Sequence, residues 1–219
     1  MNARILSAGL AGVALISLAL GCERGTPAST VLAAKTAGLS PNFSASASNH
    51  HMRWDIISVN FATLTLSAGG VASARANLDL SKITLTGSGT FRSNPGNPQD
   101  VTGGGTWQTF DASGGSTGSG SYTVTGLVSF TLAPGTFPLQ HDNIGNPNGA
   151  DSRAGLLVVR VAYSDGSEGT LVVSCHIVGT PDAVFEGVTA SKGFVDYWNR
   201  EAPPAPPGDA DRTAFHVID

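Results

Sequence analysis

Charge is scarce in this chain. Only 13% of its 219 residues are Asp, Glu, Lys or Arg, and the formal net charge at pH 7 is -4. So sparse and slightly acidic a composition argues against nucleic-acid binding, which needs a basic face to meet phosphates. Cysteine is scarcer still. Cys22 and Cys175 are the whole complement, so a disulfide framework is excluded as the source of stability. Signatures of common chemistry are also missing. No Gly-x-Ser-x-Gly elbow stands between a strand and a helix, and there is no His-Glu-x-x-His, no Cys-x-x-Cys, no phosphate loop and no dinucleotide fingerprint. No cofactor is therefore expected.

What the chain does have is Gly, Ser and Thr, which separate short runs of aliphatic and β-branched residues. That punctuation belongs to antiparallel strands and turns, and it suits an extracellular β protein better than a helical bundle. The length allows one sizeable core without covalent staples. The expected fold is all-β, an antiparallel up-and-down barrel or closed sandwich of about eight strands, preceded by a signal-peptide helix. A barrel of that size fills its interior with side chains or holds one small ligand.

The densest aliphatic stretch, Gly155 to Val178, reads as a long hairpin. A period of two places Leu157, Val159, Val161 and Tyr163 on one face of the first arm. Leu171, Val173, Cys175 and Ile177 form the matching set on the second. For both sets to share a face, the loop between the arms must hold an odd number of residues, which disfavours a two-residue Asp165-Gly166 turn. A loop from Asp165 to Gly169 pairs Tyr163 with Leu171, Val161 with Val173, Val159 with Cys175 and Leu157 with Ile177. It also brings Arg160 close to His176 on the opposite face. Cys175 falls on the apolar face, as a buried small hydrophobe rather than a nucleophile.

Residues 1–21 carry a short positive start with Arg4, then the apolar run Ile5 to Leu20, then Gly21 before Cys22. This is the pattern of a signal peptide, and the run is shorter than the ~20 residues that span a bilayer. The ending Ala19-Leu20-Gly21-Cys22 resembles the lipobox of bacterial lipoproteins. That resemblance implies lipidation of Cys22, which becomes the mature N-terminus, and Glu23 after it implies outer-membrane sorting if the cell is Gram-negative. An ordinary secretory signal cut nearby is the alternative. Removing the signal segment changes the formal charge to -5. Residues 22–51, rich in Ala, Ser, Thr, Gly and Pro, read as a flexible tether ending in His50-His51. Adjacent histidines in an extended chain point apart and make a poor chelate.

The β domain is expected over residues 52–199, followed by a Pro-rich extension, 200–219, whose Phe215-His216-Val217-Ile218 can form a short edge strand. Ile57 to Leu66 suggests a bulge near Ala62, and Val184 to Trp198 a last long strand bent at Gly187 or Gly193. The aperiodic Ala133 to Arg153 holds Asp142, Asn143 and Asp151, oxygen donors of the kind that bind calcium, although their spacing is not that of an EF-hand. Asp and Asn are equally the ordinary residues of turns. The nearest acid–base group is His176 with Arg160, joined by Glu186 or Asp196 from the next strand. Tyr197 and Trp198 can stack on a ligand or close a core. Gly105-Thr106-Trp107 resembles the Gly-x-Trp of lipocalin-like and avidin-like barrels, which implies a barrel and makes Trp107 a ligand-contact candidate, here without the later signatures of those families.

Three functions fit these residues. The first is a membrane-tethered, exported, non-enzymatic module that binds a small apolar ligand or a protein partner. The second is a small-ligand carrier with a hollow barrel, and the third a hydrolase or isomerase using His176 with Arg160 or a nearby carboxylate. The contents of the barrel interior discriminate among them.

Overall fold

The computed structural model describes residues 49–94, 96–137 and 141–219. The signal segment, Cys22 and the tether as far as residue 48 lie outside the described residues. Among the described residues there are fourteen strands and no helix. The first five are β1 (His51–Asn60), β2 (Thr65–Ala68), β3 (Ala72–Arg75), β4 (Lys82–Leu85) and β5 (Ser88–Arg92). Next come β6 (Gly104–Phe110), β7 (Ser116–Ala133), β8 (His141–Asp142), β9 (Ser152–Tyr163) and β10 (Glu168–Cys175). The last are β11 (Gly187–Lys192), β12 (Val195–Tyr197), β13 (Asn199–Arg200) and β14 (Arg212–Val217).

Six of these strands close on themselves in the order β14, β1, β5, β6, β7, β9 and back to β14, with every pairing antiparallel. Closure leaves no unpaired edge in the ring, the physical gain of a barrel over an open sheet. The remaining strands extend the wall, with β10, β11 and β12 beyond β9, and β3 and β13 beyond β4. The 18-residue β7 reaches from β6 to β9. Register shifts at Val124/Gly126 and Leu127/Ser129 break its pairing with β9, the irregularity that lets a long strand bend around a barrel.

The hairpin at residues 155–178 forms with the expected faces but a tighter loop. Leu157, Val159, Val161 and Tyr163 point inward, as do Leu171, Val173 and Cys175, all buried, and Ile177, just past β10, is buried as well. The turn is Ser164-Asp165-Gly166. The Gly166 amide donates to the Tyr163 carbonyl (2.9 Å), and the Tyr163 amide donates to the Ser167 carbonyl (2.8 Å). Gly166, at φ +86°, takes the left-handed position that completes a three-residue hairpin loop, so pairing resumes at Ser167 instead of after Gly169. The pairs are therefore Val161 with Gly169, Val159 with Leu171, Leu157 with Val173 and Gly155 with Cys175. Three and five are both odd, which is why the faces survive the change of register. The neighbours on the outer face do not survive it, and Arg160 pairs with Thr170.

The interior is packed. Trp54, Ile56, Phe91, Phe215 and Leu157 are buried at its centre. Phe91, Phe130 and Phe215 form one aromatic cluster, with ring centroids 4.8–6.0 Å apart. Trp107, Tyr122 and Tyr163 form a second, with centroids 6.0–6.2 Å apart. Lys192 covers that second cluster, its Nζ 4.2 Å from the Trp107 centroid. Edge-on and tilted ring pairs of this kind add to simple burial. Trp54 fits because glycine lies beside it: a Cβ on Gly89 would stand 2.6 Å from the indole nitrogen.

Several boundaries differ from expectation. His51, assigned to the tether, begins β1, and its amide donates to Asp219 Oδ1 (2.7 Å) while the His50 ring pairs with the same carboxylate. The bulge near Ala62 is a turn between β1 and β2, closed by Leu64 at φ +52°. Residues 184–198 are not one bent strand, because Gly193 at φ +57° reverses the chain between β11 and β12. The largest difference is at the C-terminus. The Pro-rich extension returns to the domain, and β14 inserts between β1 and β9 rather than adding to an edge.

Candidate functional site

A groove of about 440 Å³ opens on the outer wall, lined by the β1–β2 hairpin, the start of β14 and the segment after β10. Its apolar lining includes Ile57, Val59, Phe61, Leu66, Phe137 and Ile177, and its polar groups are His176, Glu186, Arg212 and Thr213. Strand alternation explains the lining. Trp54 and Ile56 face the barrel interior, so Ile57 and Val59, on the C-terminal half of β1 beside β2, are left for a second apolar cluster. Leu66 from β2 and Ala214 from β14 complete that cluster with Phe137 and Ile144.

Glu186 organises the polar end. Its Oε2 accepts the His176 amide (2.6 Å) and its Oε1 accepts the Thr213 amide (2.6 Å), which ties the segment after β10 to β14. Burial pushes this carboxyl up to about 8, against the opposing pull of those two amides and of Arg212. The other groups are already engaged. Thr213 Oγ1 donates to the Ser174 carbonyl (2.6 Å), and His176 Nδ1 lies 2.7 Å from the Val184 carbonyl. Arg212 lays its guanidinium 4.7 Å from the Phe61 ring centroid, and one N–H on Nη2 reaches the Pro204 carbonyl (3.0 Å). Its Nε is buried and makes no hydrogen bond.

A second polar cluster lies further along the outer face of β14. Asp142, Asp151 and His216 each bring one donor atom within 4.8 Å of the others. His216 Nε2 lies 2.8 Å from Asp142 Oδ2, with both side chains fully buried. Asp142 Oδ1 accepts the amides of Ile144 (2.8 Å) and Gly145 (3.0 Å), and Asp151 accepts the Asn146 amide (2.9 Å). Arg53 grips Asp55 through Nε (2.7 Å) and Nη2 (2.8 Å) on the same face. Burial holds the Asp55 carboxyl above its ordinary value in spite of that partner. One imidazole with two carboxylates suits a first-row divalent ion better than calcium, which prefers an all-oxygen shell. As it stands, the cluster fastens residues 141–151 over β14.

The candidate residues thus fall in different places. His176 and Glu186 do meet, but through the His176 backbone. Arg160 is on the exposed outer face of β9, and the six residues from its partner Thr170 to His176 span roughly 20 Å along a strand. Asp196 is exposed on β12 opposite Ser191, far from any shared geometry with His176. Among the metal candidates, Asp142 and Asp151 converge, whereas Asn143 donates its side-chain amide to Ser67 Oγ (3.2 Å). His216 joins them unannounced. Trp107 and Tyr197 are buried core residues, and of the three aromatic candidates only Trp198 is exposed. Cys175 is free and fully buried, its thiol pushed well up by desolvation.

Taken together, the chain is a closed antiparallel β-barrel with a filled interior and a groove on its wall. Comparison with protein-family models, with curated proteins and with solved structures returned no match.

Proposed function

We propose that the chain is an exported, non-enzymatic binding module, tethered by lipid on Cys22 to the cell envelope, whose ligand site is the wall groove. The carrying observation is the contrast between the packed lumen and the groove. Trp54, Phe91 and Phe215 leave the interior filled, which favours the wall groove over the lumen as the place for a ligand. The groove has the volume of a small-ligand site and the usual construction, apolar walls with a few polar groups at one end. The separation of Arg160 from His176 removes the Arg160 form of the hydrolase or isomerase reading, and the carboxylate form is left with a Glu186 that meets His176 through its backbone amide. The tether reading is supported by the apolar run Ile5 to Leu20 ending at Gly21-Cys22.

Two measurements test this. In cell fractionation, Cys22→Ser should release the protein from the membrane fraction, and continued membrane association would refute the tether. A solvatochromic apolar dye should bind the protein, and Val59→Trp, which fills the groove, should abolish the signal. An unchanged signal would refute the groove as the site.

A further inference from the structure

We propose that the groove takes a single-chain amphipathic carboxylate, its apolar body along Ile57, Val59, Leu66 and Ile177 and its head group on the Arg212 guanidinium. This inference rests on the reading of the groove as the binding site and adds the class of ligand. It follows from the hydrogen-bonding capacity at the polar end. Both Glu186 oxygens already accept backbone amides, Thr213 Oγ1 donates to Ser174, and His176 Nδ1 is matched with Val184. Asp211, the chain neighbour of Arg212, directs its Oδ1 to the Ser73 amide (2.5 Å). The guanidinium is the group left with donors to offer: Nη2 makes one hydrogen bond, to Pro204, and Nε is buried out of a ligand's reach, so an incoming carboxylate meets the terminal Nη nitrogens of this groove-lining residue. A guanidinium presents a planar fork of N–H groups that matches a carboxylate and always keeps its charge.

The sign of the ligand's charge has its own support. Glu186 is the carboxyl among the described residues that line the groove, and both its oxygens already accept backbone amides, so it has little left to offer a cation. A cationic head group would find that groove carboxyl already occupied. An uncharged head group would leave a partly buried guanidinium unmatched, which costs more than leaving a neutral donor unmatched. Phe61, also in the groove lining, has its ring centroid 4.7 Å from the guanidinium carbon and helps to hold Arg212 at the groove.

The experiment is equilibrium binding of a dansyl-labelled undecanoate to the full chain, set beside its methyl ester and an alkyl amine of matching length. The carboxylate should bind roughly tenfold to a hundredfold more tightly than the ester, as expected for one charge-assisted bond. Arg212→Gln should erase that preference, and Val59→Trp should abolish binding of both probes. Should Arg212→Gln melt at markedly lower temperature than the wild type, Arg212→Lys replaces it and should retain only part of the preference, because the fork is lost. Equal binding of acid and ester, both blocked by Val59→Trp, would overturn the head-group assignment and leave the groove reading standing. Tighter binding of the amine would also overturn it, in favour of Glu186 as anchor. Failure of every probe to bind would overturn both readings.

Discussion

Glu186→Gln tests the polar end of the groove most directly, because one side chain holds two elements together and its proton is displaced by burial. The carboxyl of Glu186 ordinarily titrates near 4.5 and is pushed up to about 8 in the folded barrel. A folded-state value above the unfolded one means the folded state holds the proton more tightly. The resulting stability is complete below about 4.5, declines as pH rises through the window to about 8, and is gone above it. Each tenfold preference is worth about 1.4 kcal/mol, so the ceiling over the window is about 5 kcal/mol. Glu186 lines an open groove that admits water, which reduces the effect, and we expect a loss of about 2–3 kcal/mol.

Gln cannot titrate, and its nitrogen cannot accept an amide proton, so the variant leaves either the His176 or the Thr213 amide without a partner. It should be less stable than the wild type at pH 5 by about 1–3 kcal/mol. The two proteins should converge as pH rises towards 9, where the wild type has lost its proton. Asp211, raised to about 6, contributes a slope of the same sign at lower pH, but it does so in both proteins and drops out of the difference. Urea denaturation at pH 5, 7 and 9 with constant m-values supplies the measurement. A wild-type stability that is flat from pH 5 to 8, or a variant with the same slope, would refute the placement of a protonated Glu186 between the two amides.

Other expectations follow from packing and turn geometry. Leu157→Ala, at a position with no solvent exposure opposite Val173, should cost about 2–5 kcal/mol in chemical denaturation, whereas Val128→Ala on the outside should stay within about 0.5 kcal/mol. Gly166→Val places a β-branched residue at φ +86° and should destabilise by about 1–2 kcal/mol; a neutral result would mean the three-residue loop is wrong. Asp142→Asn weakens the buried contact with His216 and should make residues 141–151 more sensitive to limited proteolysis, and an unaltered cleavage pattern would show that the contact does not hold this segment down. Cys175 should react with thiol reagents only on unfolding, and native labelling at the rate of a free thiol would contradict its burial.

How much of this was legible in the sequence depends on how far apart the interacting residues lie. The faces of β9 and β10 follow from a period of two, a local property, and Leu157, Val159, Val161 and Tyr163 are inside as that period requires. The exact register was not legible, because three-residue and five-residue loops share the same parity and only the backbone angle of Gly166 chooses between them. The C-terminal strand shows the limit more sharply. Nothing near Phe215-His216-Val217 indicates that this segment pairs with Arg53 and Trp54 at the other end of the domain, so an edge strand was the reasonable local reading. Once β14 is inside the ring, alternation does the rest. Phe215 goes to the core, while His216 goes to the outer face, where it meets Asp142 of the short strand β8, 74 residues earlier in the chain. The same strand carries Arg212 and Thr213 to the groove. Both polar sites therefore depend on one long-range pairing, and that pairing is the step that local sequence patterns leave open. It also makes the C-terminal residues, which composition alone presents as a tail, the strand on which the groove and the His216 cluster are both built.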